Sequence, residues 1–121
     1  MADVHGFIDE HMGRFKEELN AFLRIPSISA KSEHRDDMRA AAEWLAERMG
    51  EAGLEVSLEP TDGFPIVLGE YRDAGPDAPT VLVYGHYDVQ PPEPLDEWTS
   101  PPFEPEVRGG KLFARGSVDD K

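Results

Sequence analysis

From Thr80 to Tyr84 the chain reads Thr-Val-Leu-Val-Tyr, a continuous β-rich apolar run that leads directly into Gly85-His86-Tyr87-Asp88. A strand with apolar side chains on both of its alternating faces needs cover on both sides, the situation of a central strand in a layered α/β sheet. The preceding residues supply helical layers. Phe7, Ile8, Met12, Phe15, Leu19, Phe22 and Leu23 recur at three-to-five-residue steps, which predicts one face of a helix. Asp3 is placed to cap it, and Pro26 ends it by pushing Ile25 out of the α region. A second helix is predicted from about Glu33 to Gly53, with Met38, Ala41, Ala42, Leu45 and Met49 inward and Ser32 as its N-cap.

Beyond Gly53 the period changes to two. Leu54 to Glu59 alternates as a half-buried strand, and Phe64 to Tyr71 reads as its neighbour. Gln90 to Pro105 carries six of the eleven prolines and must be an irregular surface loop. Glu106-Val107-Arg108, Gly109-Gly110 and Lys111-Leu112-Phe113 have the form of a hairpin with a two-residue glycine turn. Two helices followed by strands, one of them buried, give an α/β layer architecture.

Leu, Ile, Val and Phe together number 27 of 121 residues, just above the level of roughly 20% below which a chain stays disordered. The formal charge of −13 argues against nucleic acid, whose phosphates are bound by Lys and Arg. Absence of cysteine excludes a disulfide scaffold, thiolate catalysis and Cys-ligated metal, so any metal ligands must be His, Asp or Glu. The N-terminus has no basic and apolar signal-peptide regions, and no apolar run approaches the ~18 residues of a membrane span. A cytoplasmic protein with no membrane partner is expected.

Two clusters carry candidate chemistry. His86 and Asp88, two apart at the C-terminal end of the buried strand, point the same way, at the edge where α/β sheets place ligand sites. A histidine beside a carboxylate suits a metal ligand oriented by an acid, although His-x-Asp alone reads more simply as a solvated strand end. Asp119 and Asp120 lie in Arg115-Gly116-Ser117-Val118-Asp119-Asp120-Lys121. They could serve a hard cation; taken alone they read as a solvated turn paired with Lys121.

The ordered series changes this balance. Tyr84-Gly85-His86-Tyr87-Asp88-Val89-Gln90-Pro91, then Trp98-x-x-x-Pro102-Phe103, then Gly110-Lys111-Leu112-Phe113-Ala114-Arg115-Gly116-Ser117-Val118-Asp119-Asp120-Lys121 resembles the zinc aminoacylase/carnosinase family of metallopeptidases. That family also holds acetylornithine deacetylase and succinyl-diaminopimelate desuccinylase, and the wording around His86 looks most like its dipeptidase branch. The likeness covers nearly the whole chain, including Ile25-Pro26-Ser27-Ile28-Ser29 at the end of the first helix.

The resemblance implies that His86 is a ligand of one zinc and that Asp88 accompanies and tunes it. It implies that Asp119 bridges two zincs, joined to Asp120 by a cis peptide bond. Cobalt or manganese could replace zinc. Trp98, Pro102 and Phe103 match a packing loop. Ala114 departs from the family's Gly-Arg-Gly; the position is expected to need a small residue rather than a positive φ.

The implied fold is α/β, with residues 1–121 as the incomplete N-terminal portion of the catalytic domain: two helices, then strands of a mixed sheet. The general-base glutamate, the remaining ligands and the lid domain, which in the family completes the substrate pocket and often a homodimer, would follow Lys121. The implied reaction is hydrolysis of a dipeptide's amide bond by a metal-activated water. N-acyl amino acids are the alternative substrates, and a non-catalytic truncated relative is the second alternative. The 121 residues alone are expected to bind zinc weakly and to be inactive. His5, His11 and His34 are assigned no site role, and Trp44 is assigned to packing.

Overall fold

A computed structural model describes residues 2–121. Helix α1 spans Val4–Leu23, and the Asp3 carboxylate caps it, accepting from the Gly6 amide at 2.9 Å. Asp3→Ala is expected to cost about 1 kcal/mol, read as a lowered denaturation midpoint. Helix α2 spans Arg35–Glu51 and begins differently from its prediction. Ser32 opens a short 3-10 turn, Ser32–His34, and no side chain caps α2. Asp36 and Asp37 in its first turn offset the helix dipole in place of a cap.

Strands β1 (Glu55–Glu59) and β2 (Ile66–Glu70) pair antiparallel, Ser57 opposite Leu68, and lie against α2. Strands β3 (Glu106–Arg108) and β4 (Lys111–Phe113) form the second antiparallel pair. Their turn needs φ > 0 at both central residues, and Gly109 and Gly110 supply +57° and +77°.

The core sits where the end of α1 meets the middle of α2. Leu23, Ile28, Met38, Ala41, Ala42 and Val89 are buried there, and the Phe22 ring stacks on Trp44 with centroids 4.7 Å apart. Each of the larger side chains contributes about 1.5–3 kcal/mol by burial. The first part of the α1 stripe (Phe7, Ile8, Met12) stays exposed, as does Val4 before it.

Thr80 to Tyr84 departs from the expected covered central strand. The segment makes no ladder, and Val81, Leu82, Val83 and Tyr84 are 81–88% exposed. Its β propensity is unchanged, but among the described residues no strand or helix pairs with it. The only parallel pairing among the described residues is a bridge between Ile28 and Val89, just beyond the run. Among the same residues no helix is long and apolar enough to cross a membrane.

Candidate metal centre

Val89 fixes the chain that leaves the exposed run. It bridges Ile28, and its amide donates to the Ser27 carbonyl at 2.8 Å. On the other side the Tyr87 hydroxyl donates to the Pro65 carbonyl at 2.7 Å, tying this strand end to the β1–β2 connection. His86 and Asp88 are therefore held between α1's exit loop and the hairpin.

The two side chains meet, as their spacing predicts. His86 Nδ1 lies 3.0 Å from both the Asp88 carbonyl oxygen and Asp88 Oδ1. Two acceptors at Nδ1 keep a proton there and turn Nε2 outward. Nε2 then faces Asp119 Oδ1 at 3.0 Å, across 33 residues of sequence. Partial burial disfavours a charged ring, yet the Asp88 carbonyl, the Asp119 hydrogen bond and the two carboxylate charges outweigh it. The His86 pKa is raised above its ordinary 6.5. These residues, with Tyr84, Val89 and Gln90, line an open cleft.

Asp119 arrives on the segment after β4. Ala114 is buried and has no positive φ, so the position is one for a small residue and the departure from Gly-Arg-Gly costs nothing in backbone geometry. Arg115 lies over the Trp98 ring, and its amide donates to the Pro102 carbonyl at 2.7 Å, which seats the segment on the proline-rich loop. The Asp119–Asp120 peptide bond is cis. Asp120 is exposed and approaches Gly85 rather than His86.

Lys121 corrects the reading of a solvated Asp-Asp-Lys turn. Its ammonium donates to the carbonyls of Phe22 and Ile25 at 2.8 and 2.7 Å and sits 4.6 Å from the centre of the Phe22 ring. It is a cation at the C-terminal end of α1, where the helix dipole favours one. Ser29 also went unassigned: its hydroxyl donates to Asp88 Oδ2 at 2.6 Å. Neither contact has a local sequence signature.

His86 Nε2 and Asp119 Oδ1 fit two positions of one zinc ion. Ligand bonds of about 2.0–2.1 Å at a tetrahedral angle put neighbouring donor atoms about 3.3 Å apart, close to the separation found here. Among the described residues no group of three or more His, Cys, Asp or Glu is arranged to hold a metal ion, because the Asp88 carboxylate faces Nδ1 on the far side of the ring. His5, His11 and His34 lie elsewhere, His11 stacked on Phe7 and His34 bonded to Asp37.

Residues 82–121 match Peptidase family M20/M25/M40. A cysteinylglycine-S-conjugate dipeptidase of Corynebacterium striatum is 37% identical over 109 residues, 89% of this chain and 24% of that protein. A succinyl-diaminopimelate desuccinylase of Aromatoleum aromaticum is 40% identical over 99 residues, 82% of this chain and 25% of that protein. The crystal structure of human carnosine dipeptidase 1 superposes with a TM-score of 0.85 at 28% identity, over 94% of this chain and 26% of that one. The chain thus spans about a quarter of the length of the relatives it matches. Over residues 82–121 by sequence, and over most of its length by fold, the chain is similar to members of peptidase family M20/M25/M40.

Proposed function

We propose that these 121 residues form the N-terminal portion of the catalytic domain of a dinuclear zinc hydrolase that cleaves the amide bond of dipeptides. The observation that carries this reading is the 3.0 Å approach of His86 Nε2 to Asp119 Oδ1, with Nδ1 anchored on Asp88. In this role His86 gives up its Nε2 proton to become a neutral ligand, while Asp88 keeps the Nδ1 proton and the ring angle fixed. Asp119, exposed and with a second oxygen free of His86, is the carboxylate suited to bridging. Bound zinc would supply an activated water and polarise the scissile carbonyl. The uncovered Thr80–Tyr84 run supports the portion reading, because such a strand is built for neighbours on both sides.

A −13 chain does not attract an anionic substrate at long range, so the free carboxylate of a dipeptide must be met by local cations and metal. N-succinyl amino acids are the second substrate class, favoured by the likeness to the desuccinylase.

The test is made on the polypeptide encoded by the whole reading frame, loaded with zinc and offered cysteinylglycine, carnosine and an N-succinyl diamino acid. Release of free amino acids from the dipeptides, lost on chelation and restored by zinc, is expected. Succinate release without dipeptide cleavage selects the second class, and inactivity on all substrates with zinc bound overturns the reading. The 121 residues alone are expected to be inactive and to bind zinc weakly, since they bring two ligands where four are needed.

A further inference from the structure

We propose that Ser29 is a positioning residue of the metal centre, holding Asp88 in the one orientation that aims His86 Nε2 at Asp119. The proposal rests on the metal reading above.

Asp88 Oδ1 and Oδ2 have different partners. Oδ1 faces His86 Nδ1 at 3.0 Å, and Oδ2 accepts from the Ser29 hydroxyl at 2.6 Å. Among the described residues no Lys or Arg pairs with Asp88, whose side chain is 40% exposed. Without Ser29, only water would hold the second oxygen, and the carboxylate could turn about its own axis. A hydroxyl donating to an ionised carboxylate is roughly twice as strong as a neutral pair.

Ser29 can do this only if it is itself fixed, and its neighbours fix it. The Ser27 hydroxyl donates to the Tyr87 carbonyl at 2.5 Å, and the Ser27 carbonyl accepts from Val89. Ile28 bridges Val89, and both Ser27 and Ile28 are buried. The Ser27–Ser29 loop therefore clamps Tyr87 and Val89 by backbone contacts and Asp88 between them by a side chain. Among the described residues the Ser29 hydroxyl makes no other hydrogen bond. Its effect on the metal runs through Asp88 and then His86, so it acts on ligand orientation without touching metal or substrate.

Zinc is titrated into the protein while the His86 imidazole is followed by nitrogen-15 NMR, which reads both affinity and the site of the ring proton. Ser29→Ala is expected to weaken zinc about 3–10-fold, less than the 10–100-fold typical of a direct partner of a ligand. At a pH where the metal-free ring is neutral, it is also expected to mix the ring's two tautomers, and Ser29→Thr should restore both readings to within about twofold of native. In an Asp88→Ala background, Ser29→Ala should change nothing further. Unchanged affinity in Ser29→Ala, or an equal loss with and without Asp88, overturns the proposal. If Ser29→Ala lowers the melting temperature, the Ser29→Thr rescue and the Asp88 background still decide. His86→Ala is the control for the site itself. Native zinc affinity in that variant sinks the metal reading and this proposal together, whereas loss there with no effect at Ser29 sinks this proposal alone.

Discussion

Lys121→Ala is expected to cost about 2–3 kcal/mol of folding stability, measured by urea denaturation. Two charge-assisted hydrogen bonds to the Phe22 and Ile25 carbonyls disappear, with the contact to the Phe22 ring. Both carbonyls keep one backbone partner each, from Ile25 and Ser27, so the loss is smaller than for two orphaned acceptors. Lys121→Met retains most of the packing and is expected to fall between Ala and the native residue. The ammonium also leaves a mark on the pH dependence. Burial lowers the Lys121 pKa from 10.5 to about 8. Below pH 8 the lysine is charged in folded and unfolded chains alike, and the cost of burying the charge is fully present. Between about 8 and 10.5 the unfolded chain binds the proton better, so stability rises with pH across that window. The neutral amine still has two N–H groups for the two carbonyls, so deprotonation removes the charge cost while keeping the bonds. With the solvent-facing part of the side chain discounted, the rise is about 1–2 kcal/mol. A Lys121→Met chain that shows the same rise would assign it to another group.

Gly116→Ala is expected to cost about 2–3 kcal/mol, from two sources that can be separated. Gly116 has φ +93°, where a side chain is strained, and a Cβ there would lie 2.9 Å from Val89 Cγ1 and 3.3 Å from Lys121 Cδ. Gly75 has φ +105° with nothing within 4 Å of its Cβ position, so Gly75→Ala carries the backbone strain without the collision. It is expected to cost about 1 kcal/mol. Equal midpoint shifts for the two variants would show that the contact with Val89 is relieved freely. Because the Gly116 position touches the Lys121 stem, the two predicted losses should not add in the double variant.

Features written into neighbouring residues were legible in the sequence. Asp3 and Pro26 bound α1 as their chemistry dictates, and Gly109-Gly110 sets the tight turn of β3 and β4. The start of α2 was not, because a serine before a helical pattern fits a 3-10 turn as well as a cap, and backbone hydrogen bonds decide between them. Thr80 to Tyr84 shows the opposite limit: propensity sets an extended backbone, while burial depends on partners that this stretch of chain does not contain. At the candidate site, the spacing of His86 and Asp88 put them on one side, and the structure does so. Their approach to Asp119 followed only from resemblance to a family, since no periodicity links positions 33 residues apart. Ser29 and Lys121 escaped for the same reason. A serine in a polar loop and a lysine beside two aspartates both have an obvious solvated reading, and only the return of the chain replaces it.

The contacts that assemble the candidate centre also set when it can form. Ser29 and Asp88 are 59 residues apart, and Lys121 lies 99 and 96 residues from Phe22 and Ile25. Loop closure over such distances must be met before any of these bonds forms, although its entropy grows by only about 0.6 kcal/mol per doubling of length. Helices α1 and α2 and the two hairpins close locally and are expected to form before the contacts between distant segments. During synthesis, His86 emerges well before Asp119, and α1 waits for its terminal lysine until residue 121 is free of the ribosome. A mutation that slows the docking of residues 116–121 would therefore prolong the interval in which the apolar Val81–Tyr84 run and an unfinished centre are exposed together, the period of greatest risk from aggregation and stray metal.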